Sequence, residues 1–290
     1  MAVLEIEGDT ALVSPARPRR RRANGLLAAA LVWIILIALA AILADVLPIM
    51  SPTDMDMLGK RAPPSAEHLL GTDQLGRDML SRLIYGARIS LTVGLLAPVV
   101  GLVVGGALGM MAGYLGGRFE ALAVGAVDVL LAFPPLVLAL AVTAYLGQSV
   151  FNLTLVIGVL GIPAFTRVAR ATTLSLTQRE FVVAARTLGA THTRILLREL
   201  LPNVALPLLA FFLLAVAVTI VVEGALSFLG LGVPPPAPSW GSMIGEGRES
   251  LDIAPWLAFL PAGFMFVTVL AFNIVGDTLR ALTDPRPGAL

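Results

Sequence analysis

Apolar runs of about 20 residues recur along this chain, and a helix of that length just crosses a bilayer core of roughly 30 Å. No other feature limits the fold so severely, because a soluble domain has no interior large enough to hide so many. Hydrophobic residues make up 57% of the 290-residue sequence and charged residues only 13%. Aromatic residues contribute 6%, beside 28 glycines and 20 prolines. That balance favours closely packed helices over a barrel with aromatic girdles. No segment alternates over ~10 residues as barrel strands do. The expected fold class is therefore an all-α polytopic membrane protein with six transmembrane helices.

The spans are placed at about Leu26–Leu47, Ile89–Gly113, Ala121–Leu146, Val150–Phe165, Val204–Leu226 and Pro255–Val275. Loop charge sets their orientation through the excess of Lys and Arg on the cytoplasmic side. Arg17, Arg19, Arg20, Arg21 and Arg22 close a basic N-terminal tail, residues 1–25, which reads as a topology signal; lipid or nucleic-acid binding is the other reading. The first apolar run is too long for a cleavable signal. Residues 48–88 balance acids and bases and suit the outer side. Between the last two spans, Glu246, Glu249 and Asp252 stand against Arg248 alone, which also suits the outer side. Six spans then put both termini, including a tail at 281–290, in the cytoplasm.

The second span holds Gly101, Gly105, Gly109 and Gly113. Four-residue spacing places them along one helix face, where another helix can come close or the chain can hinge. Pro163 and the pair Pro134-Pro135 are expected to bend their spans.

The longest polar stretch among the late spans is REFVVAARTLGATHTRILLRELLPN, Arg179 to Asn203, inside a basic loop at 167–203. Thr177 and Glu180 have capping-box spacing, which predicts a helix to about Leu188. Gly189 can end it in the left-handed conformation. Phe181, Ala184, Ala185 and Leu188 fall on one face at helical spacing, flanked by arginines. A second short helix would climb toward Pro202. Such an element either rests as an ordinary surface helix or fits a groove in a partner.

The order Ala184-Ala185, Gly189, Leu201-Pro202 resembles the cytoplasmic signature loop of permease subunits of ATP-binding-cassette importers. The common glutamate directly before the alanine pair is Val183 here; Glu180 stands three residues earlier, as in the peptide-permease branch. HLLGTDQLGRDMLSRLIYGARISL (His68–Leu91) and EGALSFLGLGVPPPAPSWGSMI (Glu223–Ile244) are similar to segments of the dipeptide, oligopeptide and nickel permeases, and most closely to the second, C-type, permease. The resemblance implies a type I importer permease fold, with a five-helix transporter core at 89–280 after the first span. It implies a coupling loop, carried by Glu180, Phe181, Ala184, Ala185, Leu188 and Gly189, that docks on an ATPase. It also implies a second permease, two ATPase subunits that hold the ATP and magnesium, an extracytoplasmic substrate-binding protein, a bacterial inner membrane and a peptide cargo, with nickel as the alternative. No nucleic acid is expected as a partner.

Asp128 and Glu223 are acids within spans, which need a reason because an unpaired charge in lipid costs several kcal/mol. One reading is a gating or structural acid; the other is a proton or cation relay in an ion-gradient-driven transporter. No basic residue falls within the spans so placed, which would leave any cationic partner to another subunit. With no cysteine, disulfides and thiolate metal sites are excluded. His68 and His192 lack ligand spacing, and no metal is expected. Gly71-Thr72-Asp73 and Gly76-Arg77-Asp78 read as Asx turns facing a delivery protein. The chain carries no Gly-x-x-x-x-Gly-Lys sequence, so ATP would not bind it through a P-loop. Ser175, Ser227 and Ser239 lack the nearby histidine and acid of a hydrolase. A transport subunit, not an enzyme, is expected.

Overall fold

The computed structural model describes residues 20–283, so Arg17, Arg19 and the tail from 284 lie outside the described residues. The described residues form α1 (Arg20–Ile42), α2 (Met79–Leu115), α3 (Gly117–Leu131), α4 (Pro135–Leu146), α5 (Val150–Thr177), α6 (Glu180–Thr187), α7 (His192–Phe228), α8 (Trp240–Gly247) and α9 (Trp256–Thr283). Five helices are long and apolar enough to cross a membrane, and α3 with α4 makes a sixth candidate span bent by 80°. Among the described residues there is no strand.

The spans differ from their sequence-based limits in ways that proline and capping explain. The first helix opens at Arg20, inside the expected polar tail, and closes at Ile42. The second opens at Met79 rather than Ile89, because Asp78 caps it and accepts a hydrogen bond from Ser81 N at 2.8 Å. Residues 79–88 therefore belong to the bundle and not to the outer segment. Pro134 takes an extended conformation (ψ 121°), as a residue before proline must, and Pro135 starts α4. This produces the bend between α3 and α4.

Pro163 does not end α5, which runs for 28 residues to Thr177. A proline inside a helix is tolerated where the helix packs in a bundle. Arg167 and Arg170 thus leave the expected loop and stand on a long helix. Instead of a second short helix and a fifth span, α7 is one continuous 37-residue helix. A π-helical stretch at Ile195–Leu200 precedes Pro202, where the ordinary register would need an N–H that proline lacks.

The glycine stripe lies flat against α5. A Cβ on Gly101 would come within 2.5 Å of the Phe165 ring, on Gly105 within 2.5 Å of the Ile162 carbonyl and on Gly113 within 2.8 Å of the Arg170 carbonyl; Gly109 would meet the Thr166 carbonyl and Ala169. Only a missing side chain allows that approach, and Gly101–Gly105 is itself a π-helical turn. Around this pair, α1, α7, α8 and α9 close a core about Ile37, Leu83, Ile220, Trp240 and Phe272. One end of the bundle carries α6 and most of the arginines; the other carries residues 43–78 and α8.

Candidate functional site

At the arginine-rich end, α5 stops at Gln178 and Arg179 extends (φ −75°, ψ 148°) before α6 begins. The capping box does not form. Thr177 is still the last residue of α5, and its hydroxyl donates to the Leu174 carbonyl at 2.8 Å. Gly189 has φ 77° and the helix closes in a Schellman motif: Gly189 N donates to Arg186 O and Ala190 N to Ala185 O, each at 3.0 Å. Thr191 then caps α7.

One side chain anchors α6. Val182 is fully buried beside Met110, Tyr114, Ile195 and Leu200, with Ala185 packed against the same cluster. Ala185 therefore turns inward, away from the face assigned to it with Phe181, Ala184 and Leu188. Those three remain exposed, with Leu188 at 86%. Arg186 lies over the Tyr114 ring at 5.0 Å, and Tyr114 Oη meets His192 Nδ1 at 2.9 Å. The result is a short amphipathic shelf, held by one valine and a polar hinge, that offers small and apolar side chains outward.

Both intramembrane acids have partners within this chain. Arg167 donates to Asp128 Oδ1 at 2.8 Å, so the cation needed for Asp128 comes from α5 and not from another subunit. Arg170 makes a similar pair with Glu120 one turn away, and the two pairs tie α3 to α5. Glu223 is fully buried on α7 and accepts from Ser90 of α2 at 2.9 Å and from Ser227 at 2.6 Å. Ser90 in turn accepts from Trp240 N at 3.3 Å, which fixes the start of α8. Ser90 carried no sequence signal; Ser227, four residues after Glu223, sat at the spacing that lets two helical side chains meet.

The opposite end holds a polar clasp that sequence reasoning missed. Asp73 accepts from Leu75 N and Arg77 N at 2.8 and 2.9 Å, the Asx turn expected of that glycine-rich segment. Beyond the turn, Arg77 and Arg82 both reach Glu246 Oε2, at 3.1 and 2.9 Å, and Gln74 bonds the Glu246 carbonyl. Arg82 is almost fully buried. His68 Nδ1 meets Asp78 Oδ2 at 3.0 Å. Among the described residues, no group of three or more His, Cys, Asp or Glu could hold a metal ion.

A family model for the binding-protein-dependent transport system inner membrane component matches residues 105–288. The chain belongs to that family. It is 38% identical over 289 residues to a glutathione transport system permease protein of Pectobacterium atrosepticum, covering 99% of this chain and 96% of that one. A protein of the same description from Escherichia coli O1:K1 / APEC is 41% identical over 268 residues, 92% of this chain and 88% of its own. Inward-facing structures of the MetNI methionine ABC transporter superpose with TM-scores of 0.59 and 0.57 at 16% and 18% identity, each covering 71% of this chain and 98% of theirs. At that identity they establish the fold alone.

The chain is thus a multi-pass inner-membrane permease of the type I ABC importer class, a transport subunit and not an enzyme. Such a subunit works with a second permease, with ATPases and with a substrate-binding protein.

Proposed function

We propose that this chain is the second, C-type, permease of an importer that carries small peptides or peptide-like solutes, with its arginine-rich end in the cytoplasm. The observation that carries this reading is α6. It stands at the end of the bundle with Phe181, Ala184 and Leu188 exposed, and is anchored at Val182 to α2 and α7. Motion of a partner groove holding α6 passes through Val182 into the two longest helices. The ATP and magnesium sit on that partner, one on each of two ATPase subunits. A second permease completes the path, and a binding protein delivers cargo to the end formed by residues 43–78 and α8.

The similarity to glutathione permeases over nearly the full length supports a peptide-like cargo. The basic loop ahead of α7 supports the orientation. An ion-gradient mechanism finds less support, because Asp128 is paired with Arg167 and Glu223 is held by two serines. A carrier acid must be free to exchange its ion.

Mild-detergent purification of the tagged chain from native membranes tests the assembly. Two P-loop ATPases and a second six-span permease should accompany it, and the purified complex should import glutathione or a dipeptide on ATP. Gly189→Pro forbids the left-handed φ of 77°. It is expected to keep the protein in the membrane while lowering ATP-driven uptake at least tenfold. Normal uptake by that variant would remove α6 from the coupling path.

A further inference from the structure

We infer that a single water molecule is bound inside the clasp that joins residues 73–82 to α8, held by Arg82 and flanked by two buried methionines. The site is a cavity of about 10 Å³ bounded by Asp73, Gln74, Met79, Arg82, Met243 and Glu246. That figure is the space open to the centre of a water molecule, and roughly 10–15 Å³ is what one water needs.

Hydrogen-bond accounting within the clasp leaves donors over. Arg82 is 1% exposed and carries five N–H groups in a planar fork. Nη2 gives one to Glu246 Oε2 at 2.9 Å. Nε lies 3.3 Å from Asp73 Oδ2 without the alignment of a hydrogen bond, and Nη1 has no partner in the chain. A buried polar hydrogen is nearly always paired, and one on a permanent cation is the costliest to leave without an acceptor.

The acids of the clasp are largely committed. Asp73 Oδ1 accepts from Leu75 N and Arg77 N, and its Oδ2 accepts from Arg77 Nε. Glu246 Oε2 accepts from both arginines, which leaves its Oε1. Gln74 gives its amide hydrogens to the Glu246 carbonyl and to Ser250 Oγ, which leaves Gln74 Oε1.

Charge decides what the guest is. Arg77 and Arg82 face Asp73 and Glu246, so the four side chains balance. An anion would meet two carboxylates there, and a cation two guanidiniums. Water avoids both: its oxygen accepts from Arg82 and its hydrogens serve the two remaining oxygens. It supplies the acceptor that the chain lacks and adds one more link between residues 73–82 and α8. A cavity of about 320 Å³ shares Gln74 and Glu246 with the site and is the route by which the water is renewed.

Met79 and Met243 line the site at 2% exposure each and report on it. X-ray radiolysis turns a bound water into hydroxyl radical beside its neighbours, and mass spectrometry reads the resulting oxidation of each methionine. The purified whole complex is pulsed for milliseconds. Met79 and Met243 are expected to oxidise several-fold more than Met110, which is 8% exposed and packed beside Val182 and Leu200. Hydrogen exchange at the Arg82 and Met243 amides, bonded to the Asp78 and Ser239 carbonyls, is expected to stay slow. Arg82→Met removes the donors and should bring both methionines down to the level of Met110.

Oxidation of Met79 and Met243 no greater than that of Met110 would overturn the site. So would strong oxidation with fast amide exchange, since bulk solvent would then be entering an opened clasp. Unchanged oxidation in a folded Arg82→Met protein would show that Arg82 holds no water. Should that variant fail to fold, the wild-type comparison decides alone.

Discussion

The two ends of this bundle satisfy their polar and apolar groups by opposite means. At the α8 end, most charged side chains are paired within the chain, although Nε and Nη1 of Arg82 and Nε1 of Trp256 are buried without a hydrogen-bond partner in it. Arg77 and Arg82 share Glu246, Asp73 closes its own turn, and Glu223 gathers Ser90, Ser227 and, through Ser90, the start of α8. At the α6 end, Phe181, Val183 and Leu188 are left 38%, 50% and 86% exposed beside a row of arginines. One end pairs most of its charges with its own residues, although Val46, Leu58 and Ile253 stay 81%, 99% and 59% exposed there. The other is finished by something else, and a single buried valine transmits what that partner does. A subunit that takes force at one end and must keep its shape at the other needs this asymmetry.

The comparison breaks most readily at Glu223. Its carboxylate joins α2, α7 and α8 with no solvent contact, so truncation strands two serine hydroxyls and frees the start of α8. Glu223→Ala is expected to cost about 3 kcal/mol, the scale for removing one partner of a buried polar network. Thermal unfolding of the detergent-solubilised protein measures it. A cost within about 0.5 kcal/mol, the range of ordinary surface changes, would mean that the α8 end is not self-sufficient.

Leu188→Ser makes the opposite comparison. The side chain is 86% exposed and contributes almost nothing to the fold of the isolated chain. Stability should stay within about 0.5 kcal/mol of wild type. Retention of ATPase subunits through purification should nonetheless fall several-fold. A variant that unfolds would show that Leu188 serves this chain; one that keeps its ATPase would show that the groove reads Phe181 and Ala184 alone.

How much of this was legible before the structure depended on how local each cause is. The apolar helices, the one-turn spacing of the glycine stripe and the left-handed Gly189 follow from local sequence and read directly, whereas the limits of the spans did not. Pro163 misled: a proline breaks an isolated helix, but in a packed bundle α5 passes through it and carries Arg167 and Arg170 alongside α3. That extension turned Asp128 from an unpaired acid into half of an ion pair. Ala185 was misassigned because 3.6-residue spacing groups it with Phe181 as readily as with Val182; only the position of the core decides. Partners separated by more than a hundred residues, such as Ser90 with Glu223 or Arg82 with Glu246, leave no periodic trace at all.

The smallest effect expected sharpens the comparison at the rim of the α8 end. Asp45 follows α1 and accepts hydrogen bonds from Arg88 at 2.9 Å and from Tyr85 at 3.0 Å. The bond from Arg88, then that from Tyr85, holds its carboxyl below the usual carboxylate range. Arg88 also donates to the Ala41 and Ile42 carbonyls, so it caps α1 without help from Asp45. A carboxyl lowered in the folded state adds stability that is fully present above its unfolded value, near 3.9. That contribution disappears as pH falls through the lower folded value. The difference in unfolding temperature between wild type and Asp45→Asn should therefore stay constant from pH 5 to 8 and shrink only below about pH 4. A difference that changed between pH 6 and 8 would mean that the bonds from Arg88 and Tyr85 to Asp45 are not its source.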